Sequence, residues 1–156
     1  MPPLLYLIRH ADASDAATDT LRPLSARGRS EVERLAAVLR PSAAFRPAAV
    51  WHSPLLRAKQ TADLLLGELG LRVPHQERLE LIPEANPELA AAALVEAREV
   101  VAVFGHEPHL SALATLLVTG ASEPVAFAFQ KATVLALEPA GMRCWVRWQL
   151  SPELFA

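Results

Sequence analysis

The chain has 156 residues, 52% hydrophobic and 21% charged, with a formal net charge of -2. That length supports a hydrophobic core, and the charge balance lacks the basic excess of a nucleic-acid binder. A lone cysteine, Cys144, excludes an internal disulfide framework and a cysteine metal site, and no apolar run reaches the length of a membrane span.

Taken in order, residues 4–9 form one apolar run closed by Arg9 and read as a buried strand. The opening MPPLLYLIRH has neither the basic n-region nor the cleavage site of a signal peptide, so a cytoplasmic location is expected. Residues 11–24 are polar and turn-rich and read as a loop. Ser25 is placed to cap a helix whose apolar stripe is Val32, Leu35, Ala36 and Leu39, with Pro41 as its stop. Residues 48–51 read as a short strand. Ser53-Pro54 has the form of an N-cap followed by proline, opening a helix with Leu55, Ala58, Ala62 and Leu65 on one face. Gly67 or Gly70 ends it, and residues 71–73 read as another short strand. Residues 88–97 favour helix, and residues 99–104 a buried strand that Gly105 breaks. Pro108 opens a helix running to about Val118. Residues 125–129, 133–137 and 143–150 read as closing strands, the last two joined by a hairpin at residues 139–141. Cys144 falls in the last of them and reads as a core-strand residue.

Strand alternating with helix predicts an α/β fold, a three-layer α/β/α sandwich with a mostly parallel central sheet, and one domain over residues 1–156. Three strands of this pattern end in chemistry. The first ends in Arg9-His10. The second ends in His52-Ser53-Pro54, with Arg57 just inside the following helix. The third ends in Gly105-His106. Sites in open α/β sheets form at the carboxyl ends of the strands, so parallel neighbours would bring Arg9, His10, Arg57 and His106 together. Two helix N-termini would point the same way and favour an anion. Two arginines, two histidines and helix amides suit a phosphoryl group. Guanidinium groups neutralise its oxygens, and a neutral imidazole is a competent nucleophile. Alone, each residue has an ordinary explanation: a polar strand end for His10, a solvated helix charge for Arg57, a helix cap for His106. Their arrangement favours a common site.

The blocks LIRHADA, RPLSARG, HSPLLRAKQTA and GHEPHLS, in this order across residues 4–112, resemble the histidine phosphatase superfamily, the phosphoglycerate mutase-like fold. The small size and the RHA form resemble its SixA branch, the phosphohistidine phosphatases. The resemblance implies that His10 is the nucleophile and becomes phosphohistidine. It implies that Arg9, Arg57 and His106 bind the phosphate. It adds Arg22 and Ser53 as phosphate- or substrate-binding positions, the N-cap role already accounting for Ser53. No metal and no cofactor are expected.

Two features depart from the family pattern. Ala11 stands where the superfamily usually has glycine, a form common in the small branch. The general acid that larger members carry on an insertion has no counterpart, because Arg57 and His106 are only 49 positions apart. Asp12, Asp19, Glu80 and Glu84 are the candidate acids. A site without a strong acid suits a leaving imidazole better than an alkoxide, since protonating an alkoxide is worth roughly 10²–10⁴-fold. The expected substrate is therefore phosphohistidine on a protein partner. The alternatives are a small phosphorylated metabolite, such as a sugar or nucleotide phosphate, or a non-catalytic phosphate-binding regulatory module. His106 and His109 lack the i, i+4 spacing of a zinc-protease pair, and His109 is read as an entrance or surface residue. His52 and His75 are read as structural or solvated. Gly28 is read as allowing close helix packing.

Overall fold

A computed structural model describes residues 4–155. Six strands form one sheet: β1 (Leu5–Arg9), β2 (Ala49–His52), β3 (His75–Glu77), β4 (Val101–Gly105), β5 (Val134–Ala140) and β6 (Arg143–Leu150). Four helices cover it: α1 (Ala26–Ser42), α2 (Leu56–Leu69), α3 (Pro87–Glu96) and α4 (His109–Thr119). The strand order is β3-β2-β4-β1-β5-β6. The first four strands run parallel, and β5 and β6 close the sheet antiparallel.

The apolar run of β1 follows from its central position. Tyr6 and Ile8 face a core shared with Val32, Leu35 and Leu39 of α1 and Ala62 and Leu65 of α2. Leu5 and Leu7 face the opposite core, with Ala90 of α3 and Leu110, Leu113 and Leu117 of α4. A strand buried on both faces has no polar side to alternate with. Each such side chain contributes about 1.5–3 kcal/mol of transfer free energy. The expected three-layer sandwich is therefore present. The edge strand β6 does alternate, and its Arg143 and Arg147 keep the outer edge charged. Cys144 lies on this edge, half-buried, and not in the core.

Four local expectations change. Pro41 does not stop α1 but stands inside its last turn; the helix runs to Ser42 and its C-cap is Ala43, in the left-handed conformation. Residues 71–73 are not a strand. They close α2, where Leu71 N donates to Leu66 O, and pairing with β2 begins only at His75. Residues 125–129 are not a strand either, since their backbone bonds to side chains. Ala126 N donates to Thr115 Oγ1, and Phe129 O accepts from Arg9 Nη1. The closing hairpin turns at residues 141–142, with Gly141 at φ 69°. Among the described residues, no helix is long and apolar enough to cross a membrane.

Candidate active site

The register of the central strands decides what meets at their ends. Ile8 lies beside Phe104 and Arg9 beside Gly105, while His52 lies beside Phe104 from the other side. The residues that follow, His10, Ser53 and His106, therefore leave the sheet at one level. Backbone bonds fix the level: His10 N donates to Gly105 O, and Ser53 N donates to Phe104 O. The His10 and His106 ring centroids stand 5.0 Å apart.

His10 is buried, and its Nδ1 lies 2.7 Å from Ala11 O. A carbonyl oxygen only accepts, so Nδ1 carries the proton. In the neutral ring Nε2 then holds the lone pair. The ring stays neutral because burial pushes its pKa down, to about 4. The hydrogen bond to Ala11 works the other way, while Arg57, Arg9 and Lys131 deepen the fall. His106 is held far below the ordinary imidazole value, by burial first and then by His10, Arg57, His109 and Arg9. Its Nε2 lies 2.5 Å from Ser53 Oγ, which also accepts from Leu55 N. Ser53 thus has a different role from the expected N-cap. The cap of α2 is Leu55, and the buried Ser53 hydroxyl is a partner of His106.

Arg57 enters on the first turn of α2, nearly buried. Its Nη1 donates to Asp19 O at 2.9 Å, and its Nη2 lies 3.3 Å from the Asp19 carboxylate. Arg9 is held by Nη1 donating to Phe129 O at 2.8 Å. Arg9 Nε and Arg57 Nε are buried donors with no partner among the described residues. Two buried guanidinium N–H groups near neutral imidazoles make a site built for an oxyanion.

Arg22 does not join this cluster directly. It donates to Ser14 O and Ala13 O and pairs with Asp19, which in turn holds Arg57, so it braces the loop behind His10. The candidate acids are all poorly suited to give a proton. Hydrogen bonds from Lys131, at 2.5 Å, and from Ser25 hold Asp12 below the usual carboxylate range. Burial raises Asp19, but Arg57 and Arg22 outweigh it and hold it low. Burial likewise raises Glu80, but its own backbone N–H and Arg78, at 2.7 Å, bring it below the usual range. Glu84 is exposed.

Three contributors went unread in the sequence. Thr61 accepts from Ala11 N and donates to Arg57 O, tying the loop after His10 to α2. It lies inside the HSPLLRAKQTA block, four residues after Arg57, the spacing of one helix face. Lys131, on a loop that carries no motif, pairs with Asp12 and adds to the positive charge around His10. Glu107 accepts from Ser111 N and Ser111 Oγ and from Phe129 N, so it joins α4 to the loop that holds Arg9. His109 is neither at the entrance nor on the surface. It is 2% exposed, and neither ring nitrogen has a partner among the described residues. His52 is structural, with Nδ1 bonded to Ser53 O.

Residues 5–82 match the family model described as histidine phosphatase superfamily (branch 1). The chain is 32% identical over 153 residues to phosphohistidine phosphatase SixA of Escherichia coli (strain K12), covering 95% of this chain and 93% of that one. Among solved structures, protein histidine phosphatase SixA complexed with tungstate superposes with a TM-score of 0.87 at 28% identity, over 98% of this chain and 99% of that one. The alpha-ribazole phosphatase from Shigella flexneri shares the fold, with a TM-score of 0.78 at 19% identity over 96% of each chain.

Proposed function

The chain belongs to branch 1 of the histidine phosphatase superfamily and is a phosphatase, and on that premise we propose that it works through a covalent phosphohistidine on His10 and removes phosphate from phosphohistidine on a protein. The observation that carries this is the state of His10. Its Nδ1 donates to Ala11 O, its ring is kept neutral by burial and by the charges of Arg57, Arg9 and Lys131, and the His106 ring stands 5.0 Å away.

In the proposed reaction, the phosphoryl group enters between the two arginines. Arg9 and Arg57 hold its equatorial oxygens, where transition-state charge spreads. His10 Nε2 attacks phosphorus in line, forming a P–N bond as the bond to the leaving group breaks. Burial is the main cause of the neutral His106 ring; the bound dianion supplies a negative partner that offsets both burial and the nearby cations, so His106 takes up a proton on binding and donates to a phosphoryl oxygen. Ser53 holds that ring in place. Water then attacks phosphorus, the P–N bond breaks, and inorganic phosphate leaves with His10 restored. The arginine charges do the work a metal would do, and the mechanism uses none.

Substrate class follows from the acids. Asp12, Asp19 and Glu80 are held in the ionised form, which cannot donate a proton. A phosphohistidine whose second ring nitrogen is protonated by solvent leaves as neutral imidazole when the P–N bond breaks, whereas an alkoxide must be protonated at the oxygen that leaves, by an acid beside it. The relatedness to SixA, a phosphohistidine phosphatase, supports the same choice.

Hydrolysis of an aryl phosphate by wild type and His10→Ala, each with and without EDTA, tests the chemistry. We expect wild-type activity unchanged by EDTA and a loss of ~10³-fold or more in His10→Ala. Activity abolished by EDTA would remove the metal-free mechanism. A panel of phosphohistidine proteins against sugar and nucleotide phosphates tests the substrate, with faster turnover of the small phosphates as the contrary result.

A further inference from the structure

A groove of about 440 Å³ runs from Arg9 along α1, between that helix and the loop carrying Lys131. Arg27, Glu31 and Arg34 lie along it at the i, i+4, i+7 spacing of one helix edge, and Glu153 lies at its rim. Of its four cations, Lys131 is paired with the Asp12 carboxylate, which leaves Arg9, Arg27 and Arg34 facing two carboxylates, Glu31 and Glu153, in a chain whose net charge is -2. The carboxylates do not cancel them. Glu31 is buried and turned inward, its Oε1 accepting from Asp12 N at 2.8 Å. Among the described residues, no carboxylate lies within salt-bridge distance of Arg27 or Arg34. Arg34 donates only to Ser30 Oγ, and its Nε has no partner.

From this we infer that the groove is a docking track for an acidic segment flanking the phosphorylated residue of the protein substrate, an assignment that rests on the phosphohistidine-protein function proposed above. The spacing selects the occupant. Arg27 and Arg34 are seven residues apart on a helix, about 10 Å along its axis. They cannot close on the second phosphate of a small bisphosphate. They match charges spread along about three residues of extended chain. A nucleic-acid strand also spreads its charge, but the groove offers no aromatic side chain on which bases would stack. Arg9 belongs to both the track and the phosphate site, so a docked segment enters the reaction centre in a fixed direction.

The test uses two chemically phosphorylated histidine peptides, one with Asp and Glu flanking the histidine and one with Asn and Gln at the same positions, and an aryl phosphate as control. Wild type should cleave the acidic peptide with ~10-fold higher kcat/KM, a preference that salt erodes. Arg27→Glu/Arg34→Glu should lose the preference and keep its aryl phosphatase rate. Arg27→Gln/Arg34→Gln, milder for folding, should fall between. Equal use of the two peptides by wild type, or an unchanged preference in the variants, overturns the docking track alone. Loss of aryl phosphatase activity in a variant with wild-type Tm also overturns it, by assigning the arginines to the reaction centre. Cleavage of the aryl phosphate but of neither peptide overturns the phosphohistidine function and the track with it. Stronger inhibition by a single-stranded oligonucleotide than by an unphosphorylated acidic peptide overturns the track in favour of nucleic acid.

Discussion

At the scale of single residues, the protonation pattern of two histidines organises the chemistry. His10 is fixed by a carbonyl, which leaves one nitrogen free to attack. His106 is fixed by a hydroxyl, which can donate or accept as the ring changes state. Ser53 can therefore follow His106 through the reaction, giving its proton to the neutral ring and accepting from the charged one. Replacing Ser53 by alanine should lower kcat ~10-fold and destabilise the fold by about 1 kcal/mol, since the buried Leu55 N–H also loses its acceptor. Steady-state kinetics beside a denaturation curve checks both. A wild-type kcat in Ser53→Ala would separate the hydroxyl from catalysis.

At the scale of elements, the site depends on how closely the loop after His10 lies against α1. Ser25 caps that helix by accepting from Gly28 N, and the same hydroxyl donates to the Asp12 carboxylate. A Cβ on Gly28 would stand 2.0 Å from Asp12 O, a backbone atom that cannot swing aside. Gly28→Ala should destabilise by about 1–3 kcal/mol and lower Tm by several degrees. Activity should fall further than stability, because the displaced loop carries His10. A Tm equal to wild type would show that the loop yields freely.

Elements with strong periodicity were legible in the sequence. β1, α1, α2 and β4 stand within a residue or two of where their apolar patterns put them, and Ser25 caps as expected. The errors fall where backbone groups bond outside a ladder. Residues 71–73 and 125–129 have strand composition, but a helix cap claims one segment and side chains of distant elements claim parts of the other. Composition does not encode such partners.

At the scale of the whole molecule, three parallel strands deliver residues more than forty positions apart to one edge. The motif blocks announced the members, Arg9, His10, Ser53, Arg57 and His106, because each sits at a strand end or helix start. What the motifs could not announce was their electrostatic state. Lys131 comes from a loop without a motif, and the acids are silenced by partners from 3 to 119 positions away, or two residues along the chain, as with Arg78 and Glu80. Burial of the two histidines, reinforced by the assembled cations, has a consequence for stability. The folded pKa of both His10 and His106 lies below 6.5, so between that value and about 4 the unfolded chain binds more protons than the folded one. Their contribution to stability is present above pH 6.5 and is lost as pH falls through this window. Thermal unfolding between pH 7 and 4.5 should show a decline in Tm that is shallower in His10→Asn. A slope unaltered by that substitution would contradict the assigned protonation states.

In the proposed reaction, His10 carries the phosphoryl group during turnover. Rapid mixing with an aryl phosphate, an alkaline quench that preserves phosphohistidine, and peptide mass analysis would measure it directly. We predict one added phosphoryl group on the peptide containing His10, rising in the first turnover and absent in His10→Ala. A wild-type enzyme that turns over with no phosphoryl group on that peptide, or with one on another residue, would contradict the account.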